Sequence, residues 1–383
     1  MSGLYIHIPF CRKACHYCNF HFSTNLSNKR ELAENIAKEI SLRKDFLNGE
    51  NLETIYFGGG TPSLLAADEL QIIFDSIEKN FNINLAAEIT IETNPDDLTN
   101  EKIKSLRQTP VNRFSIGTQS FFDKDLLWMN RAHNAAEATS SIKRAQDAGF
   151  ENISIDLIYG LPESTHLEWQ TNLQTAFDLQ VPHLSSYCLT VEPKTALAKN
   201  ISSGKTKPVD EEKSAEQFEL LMKEAKKNNF VHYEISNFGK ENFFSKHNGN
   251  YWNGKKYLGV GPSAHSFKGE IRQWNVANNF HYNEALAKNM IPNETEILTP
   301  VQRLNEYVMT SLRTIWGCNL DKIKSDFDSS LSEIFLHKLS KMKDSEHISI
   351  DKNIFSLTEK GKMIADKIIL DLWLEEPNEK RNR

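Results

Sequence analysis

The sequence is poor in the features that mark several large protein classes. Cysteine occurs five times in 383 residues, an odd and small number that excludes a disulfide scaffold built from an even, dispersed set. Positive charge is not in excess. Lys and Arg total 45 against 51 Asp and Glu, a net charge of -6, so nothing general draws the chain to nucleic acid or to an anionic membrane surface. No apolar run approaches the roughly 20 residues of a membrane-spanning helix. The first ten residues hold no basic segment followed by an apolar stretch. No signal peptide is read there, and a cytoplasmic protein without an integral membrane segment is expected. What is present is ordinary: 39% hydrophobic and 25% charged residues, enough to build a large core without covalent staples. Length alone allows two or three domains, or one barrel with an appendage.

Short β-branched or apolar runs alternate with longer helical patterns. Strands are expected at residues 4–8, 54–57, 88–92, 113–117, 153–158 and 184–189. Helices are expected at 29–46, 66–79, 100–107, 135–148, 167–179 and 211–227. Strands separated by helices pair in parallel, and six such units form a partial (β/α)6 barrel of the α/β class. Each strand runs into polar or glycine-rich residues, such as Gly58-Gly59-Gly60-Thr61-Pro62 after the second and Gly117-Thr118-Gln119-Ser120 after the fourth. In α/β barrels the loops at these strand ends form the active face. Beyond residue 230 the pattern shifts to Asn, Gly, His and aromatics, read as loops and short strands, and from 297 it turns helical again.

Three of the five cysteines fall within eight residues. Cys11, Cys15 and Cys18 read C-x3-C-x2-C directly after the first strand. Soft thiolates in one loop select an iron–sulfur cluster, zinc or copper(I). Zinc would want a fourth ligand, which His16 or His21 could supply. A four-iron cluster held by three thiolates leaves one iron open to a further ligand. Cys188 falls in a strand expected to be buried, and Cys318 follows Trp316-Gly317 at an expected turn; neither is assigned to the cluster.

The run Tyr5-Ile6-His7-Ile8-Pro9-Phe10 followed by this motif resembles the radical S-adenosylmethionine (SAM) superfamily. The resemblance implies that Cys11, Cys15 and Cys18 hold a [4Fe–4S] cluster and that SAM chelates the open iron. Gly59, Gly60 and Thr61 are similar to the family's glycine motif beside the methionine moiety, where glycine permits close backbone approach. Glu92, Gln119, Arg131 and Asp156 match positions of SAM recognition. A carboxylate at Glu92 suits ribose hydroxyls, and Arg131 suits a carboxylate in bidentate fashion. Tyr5 and Tyr17 are expected beside the cluster.

Within the superfamily the chain resembles the oxygen-independent coproporphyrinogen dehydrogenases and the related HemW-type heme chaperones. The dehydrogenases continue the motif to a fourth cysteine. Here that position is Phe20, and only ten residues precede Cys11, as in the chaperones. His247-Asn248-Gly249-Asn250-Tyr251-Trp252 resembles the chaperones' HNxxYW motif. The resemblance implies heme at His247, Asn248, Tyr251 and Trp252, with the imidazole as an axial ligand and the aromatics packed on the porphyrin. His265 is a rival ligand, whereas His232, His281, His337 and His347 are read as surface or packing residues. The function implied is transfer of heme to acceptor proteins, plausibly respiratory heme enzymes, by a chain that dimerises. The alternative is oxidative decarboxylation of two coproporphyrinogen propionates. The expected layout is a radical SAM barrel over 1–235, a connecting region with the heme motif over 236–296, a helical, winged-helix-like C-terminal domain over 297–374, and a disordered tail over 375–383. The C-terminal sequence presents no basic recognition face, so no nucleic-acid partner is expected.

Overall fold

The computed structural model describes residues 2–342 and 345–376; the expected tail beyond residue 376 lies outside them. In chain order the first two thirds run β1 (Ser2–Ile8), α1 (Lys29–Leu42), β2 (Leu52–Gly59), α2 (Ala67–Asn80), β3 (Ile83–Thr93), α3 (Asn100–Leu106), β4 (Arg113–Gln119), α4 (Asp123–Trp128), α5 (Ala135–Asp147), β5 (Asn152–Tyr159), α6 (His166–Asp178), β6 (His183–Cys188), α7 (Ala196–Ser202) and α8 (Glu211–Lys227). β1 to β6 are neighbours in sequence order, each parallel to the next. This is the expected partial barrel.

The strands alternate sharply, although parallel sheets covered on both faces usually read as continuous apolar runs. Leu4, Ile6, Phe57, Ile91, Phe114 and Ile155 are essentially buried in one core with Ile36, Phe74, Ile142 and Leu173 of the covering helices. Each such side chain contributes roughly 1.5–3 kcal/mol. The residues between them point the other way, into the barrel. In register these are Tyr5 beside Tyr56, Glu92 beside Ser115, and Asp156 beside Ser185. The lumen is therefore polar, which a packed structural barrel would not require.

The region after residue 230 extends this sheet. It contributes β7 (Val231–Glu234), β8 (Asn237–Gly239), α9 (Lys246–Trp252), β9 (Lys256–Val260), β10 (His265–Lys268), β11 (Ile271–Asn275), α10 (Asn279–Ala287) and β12 (Asn293–Ile297). β9 lies parallel to β1 and leads into antiparallel β10, β11 and β12, while β8 and β7 cap the β6 edge. Two helices appear where only loops and short strands were expected. Ser245 caps α9 through Asn248 N–H, and Asn278 caps α10 through His281 N–H, which offsets poor helix formers inside.

The remaining elements are α11 (Pro300–Leu312), β13 (Cys318–Asn319), α12 (Leu320–Asp326), α13 (Ser329–Ser340), β14 (Ile348–Asp351), β15 (Ile354–Leu357), α14 (Glu359–Met363) and α15 (Ala365–Leu372). They enclose a second core that includes Leu304, Ile323, Phe335, Phe355 and Ile368. Cys318 sits in this core, fully buried at the start of a short strand rather than at a turn. Backbone bonds from Ile235 N–H to Arg313 O and from Ile315 N–H to Tyr233 O tie α11 to the barrel edge.

Candidate functional site

The loop after β1 is pinned at its ends and its middle. Cys11 N–H donates to Ser23 O and Ser23 N–H to Pro9 O, closing the loop on itself. His16 is tied to its neighbours: its Nδ1 lies 2.8 Å from Trp128 O, its N–H donates to Met129 O, and its carbonyl accepts from Leu197 N–H. His21 Nε2 meets Asn279 Oδ1 at 2.7 Å. Both histidines thus fasten the loop to neighbouring elements. Among the described residues no three His, Cys, Asp or Glu side chains gather round a point that could hold a single ion. Cys11, Cys15 and Cys18 rim a cavity of about 410 Å³. Burial pushes the Cys11 thiol up to about 11, with Cys18 and Cys15 adding to the rise. Burial raises the Cys18 thiol as well, and thiols held in this way are stabilised as thiolates by a bound cation.

Two glycines let the second strand approach this loop. Gly59 has φ +104°, and a Cβ there would lie 2.4 Å from the His7 ring. A Cβ on Gly60 would lie 2.7 Å from the Phe10 backbone N and O. Gly60 N–H and Thr61 N–H donate to Ile8 O and Phe10 O, so GGGTP is stitched to the entry of the cysteine loop. Thr61 Oγ1 in turn lies 3.6 Å from Cys11 Sγ.

The floor of the cavity carries opposed charges. Glu92 accepts hydrogen bonds from Tyr56 Oη at 2.9 Å and from Gly59 N–H at 3.1 Å. Burial outweighs those bonds and raises its carboxyl to about 7, with Asp156 adding repulsion. Asp156 is itself raised to about 6, again by burial. Arg131 donates to Asn94 Oδ1 and Gly117 O, each at 2.7 Å, and to Cys15 Sγ at 3.3 Å. Its buried Nε has no partner. Gln119 holds φ +65°, a left-handed conformation that costs a non-glycine residue of order 1 kcal/mol.

The structure brings Tyr17, Gly59, Gly60, Thr61, Glu92, Gln119, Arg131 and Asp156 to this one cavity with the three cysteines. Tyr5 is not among the residues that line it. Its hydroxyl meets His7 Nδ1, and its ring lies among Tyr56 and His247 deeper in the barrel. Cys188, expected in a buried strand, is instead exposed at the end of β6 and lines the cavity rim. Sequence reasoning passed over Asn94, which bridges Arg131 and Thr61, and Tyr187. Both lie in the polar strand ends that marked the face.

The heme motif lies on α9, against the inner end of the barrel. His247 is 1% exposed. Nδ1 meets Thr54 Oγ1 and Nε2 meets Tyr251 Oη, each at 2.8 Å, while the ring stacks on Tyr56 at 4.9 Å. Burial lowers it to about 3, so it stays neutral. Both ring nitrogens are thus engaged inside the barrel, one donating and one accepting. Asn248 lies within α9, and His265 is exposed at the start of β10. Tyr251 and Trp252 line a second cavity of about 610 Å³, facing the C-terminal elements.

A family model for the Radical SAM superfamily matches residues 5–176, and one for the HemN C-terminal domain matches residues 298–364. The heme chaperone HemW of Bacillus subtilis is 33% identical over 371 residues, covering 96% of this chain and 98% of that protein. The chain belongs to the HemW family of the radical SAM superfamily. The HemW of Lactococcus lactis is likewise 33% identical, with 98% of each chain covered. Among solved structures, coproporphyrinogen III oxidase (HemN) of Escherichia coli superposes with a TM-score of 0.84 at 21% identity, over 97% of this chain and 90% of that one. That likeness establishes the α/β fold with its helical C-terminal part. Membership of the superfamily implies a [4Fe–4S] cluster and SAM, and the thiol-rimmed cavity beside Arg131 and Glu92 fits them. No helix among the described residues is long and apolar enough to cross a membrane.

Proposed function

We propose that the chain is a cytoplasmic heme chaperone. It holds a [4Fe–4S] cluster through Cys11, Cys15 and Cys18, takes SAM in the adjoining cavity, binds heme on the side of the HNxxYW helix, and passes heme to acceptor proteins such as respiratory enzymes. The observation that carries this reading is end-to-end similarity to proteins named heme chaperones, in a chain with Phe20 where the dehydrogenases place a cysteine. Phe20 is 68% exposed at the cavity mouth, where it would shield the site from water.

When bound, the cluster supplies an open iron for the amino and carboxyl groups of SAM. The chain's own residues do the rest. The orphaned Arg131 Nε is a donor left for the SAM carboxylate. Glu92, held by Tyr56 and Gly59, would accept from ribose hydroxyls. Gly59 and Gly60 keep the backbone close enough for the ligand to lie along it. Dimerisation linked to the cluster belongs to the same reading.

The test is anaerobic reconstitution followed by heme titration and by incubation with coproporphyrinogen III and SAM. Retained heme without turnover is expected. Formation of protoporphyrinogen would overturn the chaperone reading in favour of the decarboxylase.

A further inference from the structure

Cys11 and Cys15 each receive a hydrogen bond from outside their own loop. Arg131 Nη1 donates to Cys15 Sγ at 3.3 Å, and the Thr61 hydroxyl donates to Cys11 Sγ at 3.6 Å. One side chain holds both donors. Arg131 Nη2 donates to Asn94 Oδ1 at 2.7 Å, and Asn94 Nδ2 donates to Thr61 Oγ1 at 3.1 Å. Two sulfurs of the loop are thus linked through Thr61, Asn94 and Arg131, which come from three other segments.

Chemistry fixes the direction of every bond in that link. A guanidinium can only donate, so the Asn94 carbonyl must face Arg131 and its amide must face Thr61. The amide then engages a lone pair of the Thr61 oxygen. The Thr61 hydrogen is left to point at Cys11 Sγ.

Asn94 is itself braced. It follows β3 in an extended conformation, φ -100° and ψ 150°, as a residue before proline prefers. Its carbonyl accepts from Asp97 N–H at 3.0 Å. Asp97 in turn accepts from Arg12 Nε of the cysteine loop at 2.9 Å and from Ser63 Oγ at 3.0 Å. The segment after β3 therefore ties the cysteine loop to the segment after β2 at two places.

We propose that Asn94 is a positioning residue for both the cluster and SAM. It aims the Thr61 hydroxyl at Cys11, and it holds Arg131 against Cys15 with the unpartnered Nε available to SAM. The inference rests on the reading of this cavity as a cluster and SAM site and deepens it. Hydrogen bonds to ligating sulfurs draw charge from the iron and favour the reduced cluster. Asn94 thereby raises the reduction potential, and through Arg131 it preorganises the donor for the SAM carboxylate.

The test is a mediated redox titration of the anaerobically reconstituted full chain, read by electron paramagnetic resonance. SAM binding is measured on the same samples by equilibrium dialysis. Asn94→Leu keeps the branched shape and removes both bonds. It should retain wild-type iron and sulfide, move the midpoint potential to more negative values, and weaken SAM binding by about tenfold. Thr61→Val should move the potential in the same direction, and Thr61→Ser should restore it. A cluster-loaded Asn94→Leu protein with wild-type potential and wild-type SAM affinity overturns the proposal, even if it melts earlier. A change in one readout alone overturns the half that the other carries. Should Asn94→Leu load no cluster, the Thr61 pair decides: an unmoved potential in Thr61→Val overturns the proposal, and a shift reversed in Thr61→Ser supports it. Wild-type protein that takes up no iron and sulfide overturns the cluster reading itself.

Discussion

The glycines and carboxylates of the first cavity carry consequences that single substitutions expose. Gly60→Ala would set a methyl 2.7 Å from the Phe10 backbone, against main chain that cannot swing aside. We expect a loss of about 1–3 kcal/mol and an iron content well below wild type, measured by denaturation and by iron and sulfide assay. Glu92 gives a pH signature. Its carboxyl is raised in the fold from 4.5 to about 7 by burial, so between those values the folded apo-protein holds a proton that the unfolded chain has released. Stability from this group is present below about 4.5 and lost as pH rises through about 7. Glu92→Gln should flatten that slope in apo-protein melts, and an unchanged slope would contradict the assignment. The cysteine trio was legible because three thiols in eight residues have few other uses. Residues two apart on a strand share a face but lie about 6–7 Å apart in depth. Tyr5 thus lies one layer below His7, with its hydroxyl on His7 Nδ1.

At the scale of elements, the HNxxYW run was legible as a motif and not as a helix. Asn248, Gly249 and Asn250 are poor helix formers, and the Ser245 cap is the one local signal named here for α9. Its N-terminus is held from outside: Glu88 accepts from Lys246 N–H and His247 N–H, and Ser245 caps Asn248. Ser245→Ala should cost about 0.5–2 kcal/mol by chemical denaturation. His247→Ala should cost more, about 2–4 kcal/mol, since it opens a cavity and strands Thr54 and Tyr251. If His247 instead served only as an exposed ligand, its removal would leave stability unchanged. The βα units were easier to read. Their outer faces alternate apolar residues with the polar ones that line the lumen, so the period-two signal was strong and the helix caps followed sequence rules. Thr165 with Glu168, for example, forms a capping box at α6.

Over the whole molecule, the parallel order of β1 to β6 followed from strand–helix alternation. What the sequence could not show was β9 returning to pair with β1 and carrying three more strands with it, because such a pairing joins residues some 250 apart. The second cavity depends on that return. Its walls come from α9, from β9 to β11, and from α11 and α12, segments with no shared motif. The molecule consequently offers two separate rooms, joined by the run Glu92, Tyr56, His247 and Tyr251 through the barrel interior. The most direct test of this division is heme titration of a chain with Cys11, Cys15 and Cys18 all changed to alanine. The account predicts no iron–sulfur absorption but one heme per chain, with the spectrum of the intact protein. Heme binding that disappears together with the cluster would contradict it.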